Sequence, residues 1–187
     1  MSVEGSMSEN HDRERSKNYE LSVTHGEPGN CLKGTAFVNS LTDAGAYKSV
    51  GGNVAMEKSG FGGQLGAVHS AKADQMSAAA QMNVIHTDNH KMDVHAFATK
   101  TMPHNQPNFV THGGGVDYMY KNTVGASASV AHTPMFKHTE QNIGAKFNLH
   151  QTPTSAMSLN LGATRSMNPH SSGGFKPNML FSVQKKF

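Results

Sequence analysis

Two histidines and an aspartate alternate near the middle of the chain in a pattern that could bind a metal ion. His86, Asp88 and His90 are spaced two residues apart, so an extended segment would direct all three side chains to one side. The other interpretation is a polar hairpin turn that happens to contain histidines. The matching segment of the second half of the chain, Gln151–Pro153, has no such side chains. The pattern is thus not part of the repeat, and the hairpin turn is the preferred interpretation. The sequence as a whole predicts no metal, cofactor or catalytic site.

A second candidate is the glycine run Gly113–Gly115, which has the composition of a phosphate-binding loop. Both of its flanks are strand-like, whereas such loops connect a strand to a helix, so bend or bulge glycines are the better interpretation. Serine, histidine and aspartate are all available for a catalytic triad, but nothing places a serine on a strained turn. The sequence predicts that this protein is not an enzyme.

Six basic residues are candidates for binding an anionic surface. Four of them follow or end strands that match between the two halves of the chain, and two belong to the C-terminal tail. They are Lys58, Lys100, Lys121, Arg165, Lys185 and Lys186. The alternative is ordinary solvation of strand ends, where a lysine also discourages edge pairing. A net charge of +3 is too weak for a dedicated nucleic-acid binder, so no nucleic-acid partner is expected.

The elements that must position these residues come from a tandem repeat. Gly51, Gly52, Met56, Lys58, Gly62 and His69 recur 63 positions later as Gly114, Gly115, Met119, Lys121, Gly125 and His132. After a two-residue insertion, Ala98, Thr99 and Lys100 match Ala163, Thr164 and Arg165. Because the matching positions are glycines, alanines and strand residues, the repeat indicates a copied backbone architecture.

Alternation of apolar and polar residues, punctuated by Gly, Pro, Asn and Asp, predicts about eleven antiparallel strands. Within them Met76, Ala78 and Ala80 share one face, as do Ile143, Ala145 and Phe147, so we expect one face of the sheet to be buried. The predicted fold is an all-β antiparallel meander of about ten to twelve strands that forms a closed or partly closed barrel. A two-sheet sandwich is the alternative. A permanent membrane barrel is disfavoured by the 7% aromatic content and the lack of Trp.

The domain organisation follows from the repeat. We expect a disordered leader over residues 1–17, an N-terminal segment over 18–50, one glycine-rich repeat over 51–112 and a second over 113–187, with the repeats packed as one β domain. The leader is polar and has no apolar stretch, so the sequence predicts neither a signal peptide nor a transmembrane helix.

Three segments carry a family resemblance. His95–Lys100, Asn108–Phe109 leading into Gly113–Tyr120, and Val124–Ser127 with Ala131–Pro134 resemble the attacin family of insect antibacterial proteins over about residues 30–187. This resemblance implies a β-rich protein with two glycine-rich repeats that acts mainly on Gram-negative bacteria. It also implies binding to lipopolysaccharide and perturbation of the outer membrane, with no catalytic residues.

We therefore expect a non-enzymatic antibacterial immunity effector whose partners are lipopolysaccharide and the outer membrane, with no small-molecule substrate. The alternative is a carbohydrate-binding or structural β module without killing activity. The resemblance implies an extracellular, secreted protein. An intracellular location is the alternative, because residues 1–17 do not read as a signal peptide.

Overall fold

The computed structural model describes residues 1–10, 16–41, 47–151 and 155–185. Strands account for most of this part of the chain, and a short 3₁₀ helix lies at Pro134–Phe136. The strands are β1 (Ser2–Asn10), β2 (Ser16–Glu27), β3 (Asn30–Leu41), β4 (Tyr47–Lys58), β5 (Phe61–Ser70), β6 (Ala73–His86), β7 (His90–Pro103), β8 (Phe109–Tyr120), β9 (Val124–Thr133), β10 (His138–Gln151), β11 (Ser155–Asn168), β12 (Ser171–Ser172) and β13 (Lys176–Lys185).

The strands follow one another in the sheet in the same order as in the chain, from β1 to β12, and β13 pairs with β11. The pairings with a described register are all antiparallel. The predicted all-β antiparallel meander is therefore confirmed. All eleven predicted strands lie inside observed ones, while β1 and the short β12 were not predicted.

The repeat is visible in the strand lengths. Strands β4 to β7 contain 12, 10, 14 and 14 residues, and β8 to β11 contain 12, 10, 14 and 14. The tight turn Ser59–Gly60 joins β4 to β5, whereas three residues, 121–123, join β8 to β9. Positive φ angles at Ser59 and Gly60 are those of a primed hairpin turn, which matches the twist of the flanking strands.

Because the turn after β8 is one residue longer than the turn after β4, the residues of β4 and β8 that match in sequence are not those that match in the structure. Aligning the start of β4, Tyr47, with the start of β8, Phe109, gives an offset of 62 rather than 63. Gly52 pairs with Ala67, whereas its sequence match, Gly115, pairs with Ser129 on the opposite face. A one-residue change of register moves a side chain to the other face, so the sequence-matched glycines are not equivalent in space.

The chain forms two compact units, and the boundary between them cuts through three strands. Unit 1 contains residues 1–80 and 97–110, and unit 2 contains residues 81–96 and 111–187. Each unit takes part of β6, β7 and β8. The division into a leader, an N-terminal segment and repeats at 51–112 and 113–187 stays a prediction.

The structure differs from the expected disorder of the first residues. Val3, Gly5 and Met7 of β1 pair with Val23, Leu21 and Tyr19 of β2. The alternation of apolar and polar residues in this short segment matches that of β2, so residues 2–10 form a strand. Residues 11–15 of the expected leader lie outside the described part of the chain.

The described residues include no buried hydrophobic side chain. The expectation that the apolar face of the sheet is buried is therefore wrong. Each strand is added beside its chain neighbour, and no helical layer covers the sheet, because the one helix of the described part has three residues. The side chains that are buried are polar, Ser22 and Thr133, each with 7% exposure.

Candidate functional site

An exposed apolar face runs across the strands of unit 2. Directly paired residues of an antiparallel sheet lie on the same face, so the register identifies its members. One row of partners consists of Tyr118, Ala126, Ala145, Leu161 and Met179. The exposed fractions of Leu161 and Met179 are 40% and 72%. This row of paired side chains is therefore an apolar surface that no other described element of unit 2 buries.

The opposite face of unit 2 is polar and tied together by side-chain hydrogen bonds. The Thr164 hydroxyl donates to Oδ1 of Asn142 over 2.6 Å, and the Nδ2 of Asn142 donates to the Glu140 carboxylate over 3.2 Å. The hydroxyls of Thr111 and the buried Thr133 lie 2.7 Å apart. These polar residues of unit 2 therefore satisfy one another while the apolar row stays exposed, the reverse of an ordinary soluble sheet.

Unit 1 repeats this arrangement. Val23, Gly34, Val54 and Leu65 are successive partners across β2, β3, β4 and β5, and the exposed fraction of Leu65 is 66%. The other face holds the buried Ser22, and Asn39 donates a hydrogen bond from Nδ2 to Ser49 Oγ over 2.9 Å. We call the exposed apolar surface of each unit its apolar face. Contiguous exposed apolar surface of this kind is typical of contact with a membrane or another apolar partner.

The four predicted cations with a described environment do not gather in one patch. In unit 1, Lys58 ends β4 at its turn, whereas Lys100 lies three residues before the end of β7, towards the opposite ends of the strands. In unit 2, Lys121 occupies the β8–β9 turn, and Arg165 lies towards the opposite end, near the close of β11. Each unit thus carries basic side chains towards both ends of its strands. The side chain of Lys185 and the whole of Lys186 lie outside the described residues.

Two of these cations contact aromatic rings. The Lys121 Nζ lies 5.4 Å from the centre of the Tyr120 ring, and the Arg165 guanidinium lies 5.9 Å from that of Phe175. Arg165 also donates from Nε to the carbonyl oxygen of Gly173 over 3.0 Å. Aromatic rings beside basic groups at strand ends are common where a protein meets both acyl chains and charged headgroups.

A cluster of titratable side chains lies in unit 1 where β5 ends and β6 begins. Nδ1 of His69 is 2.5 Å from Oδ1 of Asp74, and Nε2 of His104 is 3.7 Å from the same oxygen. On its other side, Nε2 of His69 is 3.2 Å from the Tyr47 hydroxyl. The hydrogen bond from His69, followed by the charges of the two histidines, lowers the pKa of Asp74 against the opposing effect of partial desolvation. Asp74 is therefore a carboxylate at neutral pH.

The matching position of unit 2 has a simpler version of this contact. Nδ1 of His132 lies 2.8 Å from Oγ1 of Thr139. His132 corresponds to His69 by the offset of 63 between β5 and β9, and Thr139 corresponds to Asp74 by the offset of 65 between β6 and β10. Both units thus have a histidine contact at this position, with a carboxylate as its partner in unit 1 and a hydroxyl in unit 2.

The candidate set His86, Asp88 and His90 is not among the described groups of side chains that could share a metal ion. Nδ1 of His90 lies 2.7 Å from the Tyr118 hydroxyl, and Nδ1 of His86 lies 3.3 Å from Nδ2 of Asn83. Among the described residues, the histidine, cysteine and acidic side chains close enough to share a metal ion are those of His69, Asp74 and His104. Sequence reasoning missed this group because His104 is distant in the chain from His69 and Asp74. The available signal was the position of all three beside the turns after β5 and β7.

The glycine run Gly113–Gly115 lies inside β8, so it is not a phosphate loop, and its unbroken register with β9 shows no bulge on that side of the strand. A Cβ atom on Gly115 would lie 2.8 Å from the His95 ring and 2.6 Å from the Ala128 carbonyl oxygen. The His95 ring in turn has Nδ1 3.3 Å from the Asp117 carboxylate. Close approach of a ring explains the glycine at this position.

The fold and these faces define an all-β repeat protein with exposed apolar faces. Within the described residues, no helix has the length and apolarity needed to cross a membrane. The anion-selective porin from Comamonas acidovorans has a similar fold, with a TM-score of 0.57 at 13% identity over 89% of this chain and 54% of the porin. At that identity the likeness concerns the fold alone.

The model of the attacin C-terminal region matches residues 70–187. Attacin-E of Hyalophora cecropia is 39% identical over 151 residues, which is 79% of this chain and 64% of the relative. Defense protein 3 of Lonomia obliqua is 42% identical over 61% of this chain and 50% of its own length. Attacin-A of Glossina morsitans morsitans is 30% identical over 91% of this chain and 81% of its own length. The chain belongs to the attacin family. It spans about half to two thirds of the length of the first two relatives.

Proposed function

We propose that this chain is a non-enzymatic antibacterial defence protein that acts mainly on Gram-negative bacteria. Membership of the attacin family supports a defence role. The observation that carries the mechanism is the pair of apolar faces, which lie exposed in both units while the polar faces are internally bonded. A protein that acts in this way meets bacteria outside the cell, so we propose an extracellular location.

Lipopolysaccharide fits these surfaces because it combines acyl chains with phosphate groups. The apolar faces would contact the acyl chains, and each buried methylene group contributes about 0.8 kcal/mol. Lys58, Lys100, Lys121 and Arg165 lie towards the strand ends and would bind phosphates, with Lys185 and Lys186 as further candidates. Binding by this surface would perturb the outer membrane without covalent chemistry.

Dye uptake by Gram-negative cells tests this proposal. We expect a hydrophobic dye to enter the outer membrane at the doses that stop growth, and a Gram-positive culture to be affected much less. Growth arrest without dye uptake would contradict the envelope mechanism. No growth arrest of either culture would contradict the antibacterial role itself.

Deacylated lipopolysaccharide separates this function from the carbohydrate-binding or structural alternative. If the apolar faces provide the affinity, the protein binds intact lipopolysaccharide and loses most of its affinity for the deacylated polysaccharide. A carbohydrate-binding module would bind both forms equally. The measurement is a titration of each form with the full chain at one fixed salt concentration, because charge contacts weaken as salt rises.

A further inference from the structure

The side chains of His69, Asp74 and His104 come from three separate segments that meet at one end of unit 1. His69 lies near the end of β5, Asp74 near the start of β6, and His104 directly after β7. The backbone N–H of His104 donates to the carbonyl oxygen of Lys72 over 3.2 Å, which ties the segment after β7 to the β5–β6 turn. The three groups are thus held together by the backbone as well as by their own contacts.

The atoms that face one another are those that coordinate transition metals. Nδ1 of His69, Nε2 of His104 and Oδ1 of Asp74 belong to a group whose ligand atoms all lie within 4.8 Å of one another. Ligand atoms about 2.0–2.2 Å from a tetrahedral Zn²⁺ are roughly 3.4 Å apart, so adjustments of about 1 Å would produce this geometry. The side chains are 40% to 47% exposed, so an ion can reach them from solvent.

Tyr47 supplies a hydrogen-bond partner for the nitrogen of His69 that would not bind the metal. With a metal ion on Nδ1 of His69, the proton must be on Nε2, which lies 3.2 Å from the Tyr47 hydroxyl. A hydrogen bond from the second ring nitrogen fixes the tautomer and the ring orientation of such a ligand. The Tyr47 hydroxyl oxygen is placed to accept it.

We propose that His69, Asp74 and His104 form a Zn²⁺ site, with Tyr47 as a positioning residue and solvent in the fourth position. The ion would join the β5–β6 turn to the segment after β7. This site departs from the sequence-based expectation of no metal, and it is independent of the proposed contact with lipopolysaccharide.

Titration calorimetry of the full chain with ZnCl₂, in the absence of lipid, tests the site. We expect a tight site with one ion per chain in the natural sequence. His104→Asn and Asp74→Thr should each weaken that site at least about tenfold, and Tyr47→Phe should weaken it less. The matched control is His132→Asn, which changes the corresponding histidine of unit 2 and should leave the site unchanged.

The chain has 12 histidines, so nonspecific binding must be separated from this site. Co²⁺ in place of Zn²⁺ gives intense visible absorption in a four-coordinate site, and we expect this band in the natural chain and in His132→Asn but not in His104→Asn. Circular dichroism of each metal-free variant checks that it folds. Equal Zn²⁺ affinity in the natural chain, His104→Asn and Asp74→Thr would overturn the proposal, as would retention of the Co²⁺ band in folded His104→Asn.

Discussion

His132 and Thr139 make the contact in unit 2 that His69 and Asp74 make in unit 1. The donor and acceptor atoms are 2.8 Å apart in the first pair and 2.5 Å apart in the second. A neutral hydroxyl and a carboxylate thus serve the same structural purpose at matching positions. We therefore expect that the strands pair without the carboxylate of Asp74.

Exchanging these two residues should leave the fold intact. We expect Asp74→Thr combined with Thr139→Asp to shift the thermal midpoint of the metal-free protein by less than about 2 °C, because each residue already occupies the matching site of the other repeat. The measurement is thermal unfolding followed by circular dichroism in the presence of a chelator. A shift of many degrees would show that Asp74 has a structural role of its own.

Replacement of an apolar-face leucine should weaken membrane binding without unfolding the protein. Leu65→Asn removes a side chain that contributes about 2 kcal/mol when it is buried in an apolar phase, so we expect about a thirtyfold loss of affinity for lipopolysaccharide vesicles. Because Leu65 is 66% exposed, the thermal midpoint should change little. Gln64→Asn, on the opposite face of the same strand, is the matched control and should bind normally. Equal loss in the two variants would refute a role for the apolar face.

A single methyl group on Gly115 should destabilise unit 2. The Cβ of Gly115→Ala would lie 2.6 Å from the Ala128 carbonyl oxygen, and overpacking of this kind costs about 1–3 kcal/mol. Gly63→Ala is the control, since a Cβ atom there has nothing within 4 Å. Chemical denaturation should show a lower free energy of unfolding for Gly115→Ala only. Unchanged stability of Gly115→Ala would mean that the strands shift to accept the group.

The charge of Arg165 should contribute to binding of an anionic surface in a salt-dependent way. Arg165 pairs with Gln141 on the apolar face of unit 2, whereas Lys146 pairs with Asn160 on the polar face. A cation at an anionic membrane contributes about 1 kcal/mol, so Arg165→Gln should lower vesicle affinity about fivefold at low salt. At about 0.5 M salt the difference should nearly disappear.

Lys146→Gln removes the same charge from the other face and is the control for Arg165→Gln. Its vesicle affinity should match that of the natural chain at both salt concentrations. If the two variants lose affinity equally, net charge rather than the face that carries it determines binding, and the proposed orientation is wrong.

Much of the fold follows from the sequence because alternation is a local signal. Runs such as Val124–His132 and Ile143–Leu149 alternate with period two, and each lies inside an observed strand. The sequence also indicates the repeat, but it does not specify the pairing register of the repeated strands. Since one turn residue more or less shifts the pairing of the two strands that it joins by one residue, the match of Gly52 with Gly115 misleads unless the turn lengths are known.

The sequence by itself determined that this protein is a repeated antiparallel sheet with one apolar and one polar face. Only the tertiary structure decided that the apolar face is exposed, because alternation is the same whichever face a covering layer would bury. It also decided that His69, Asp74 and His104 meet while His86 and His90 do not. Side chains far apart in the chain come together through strand register and turn length, which residue types alone do not specify.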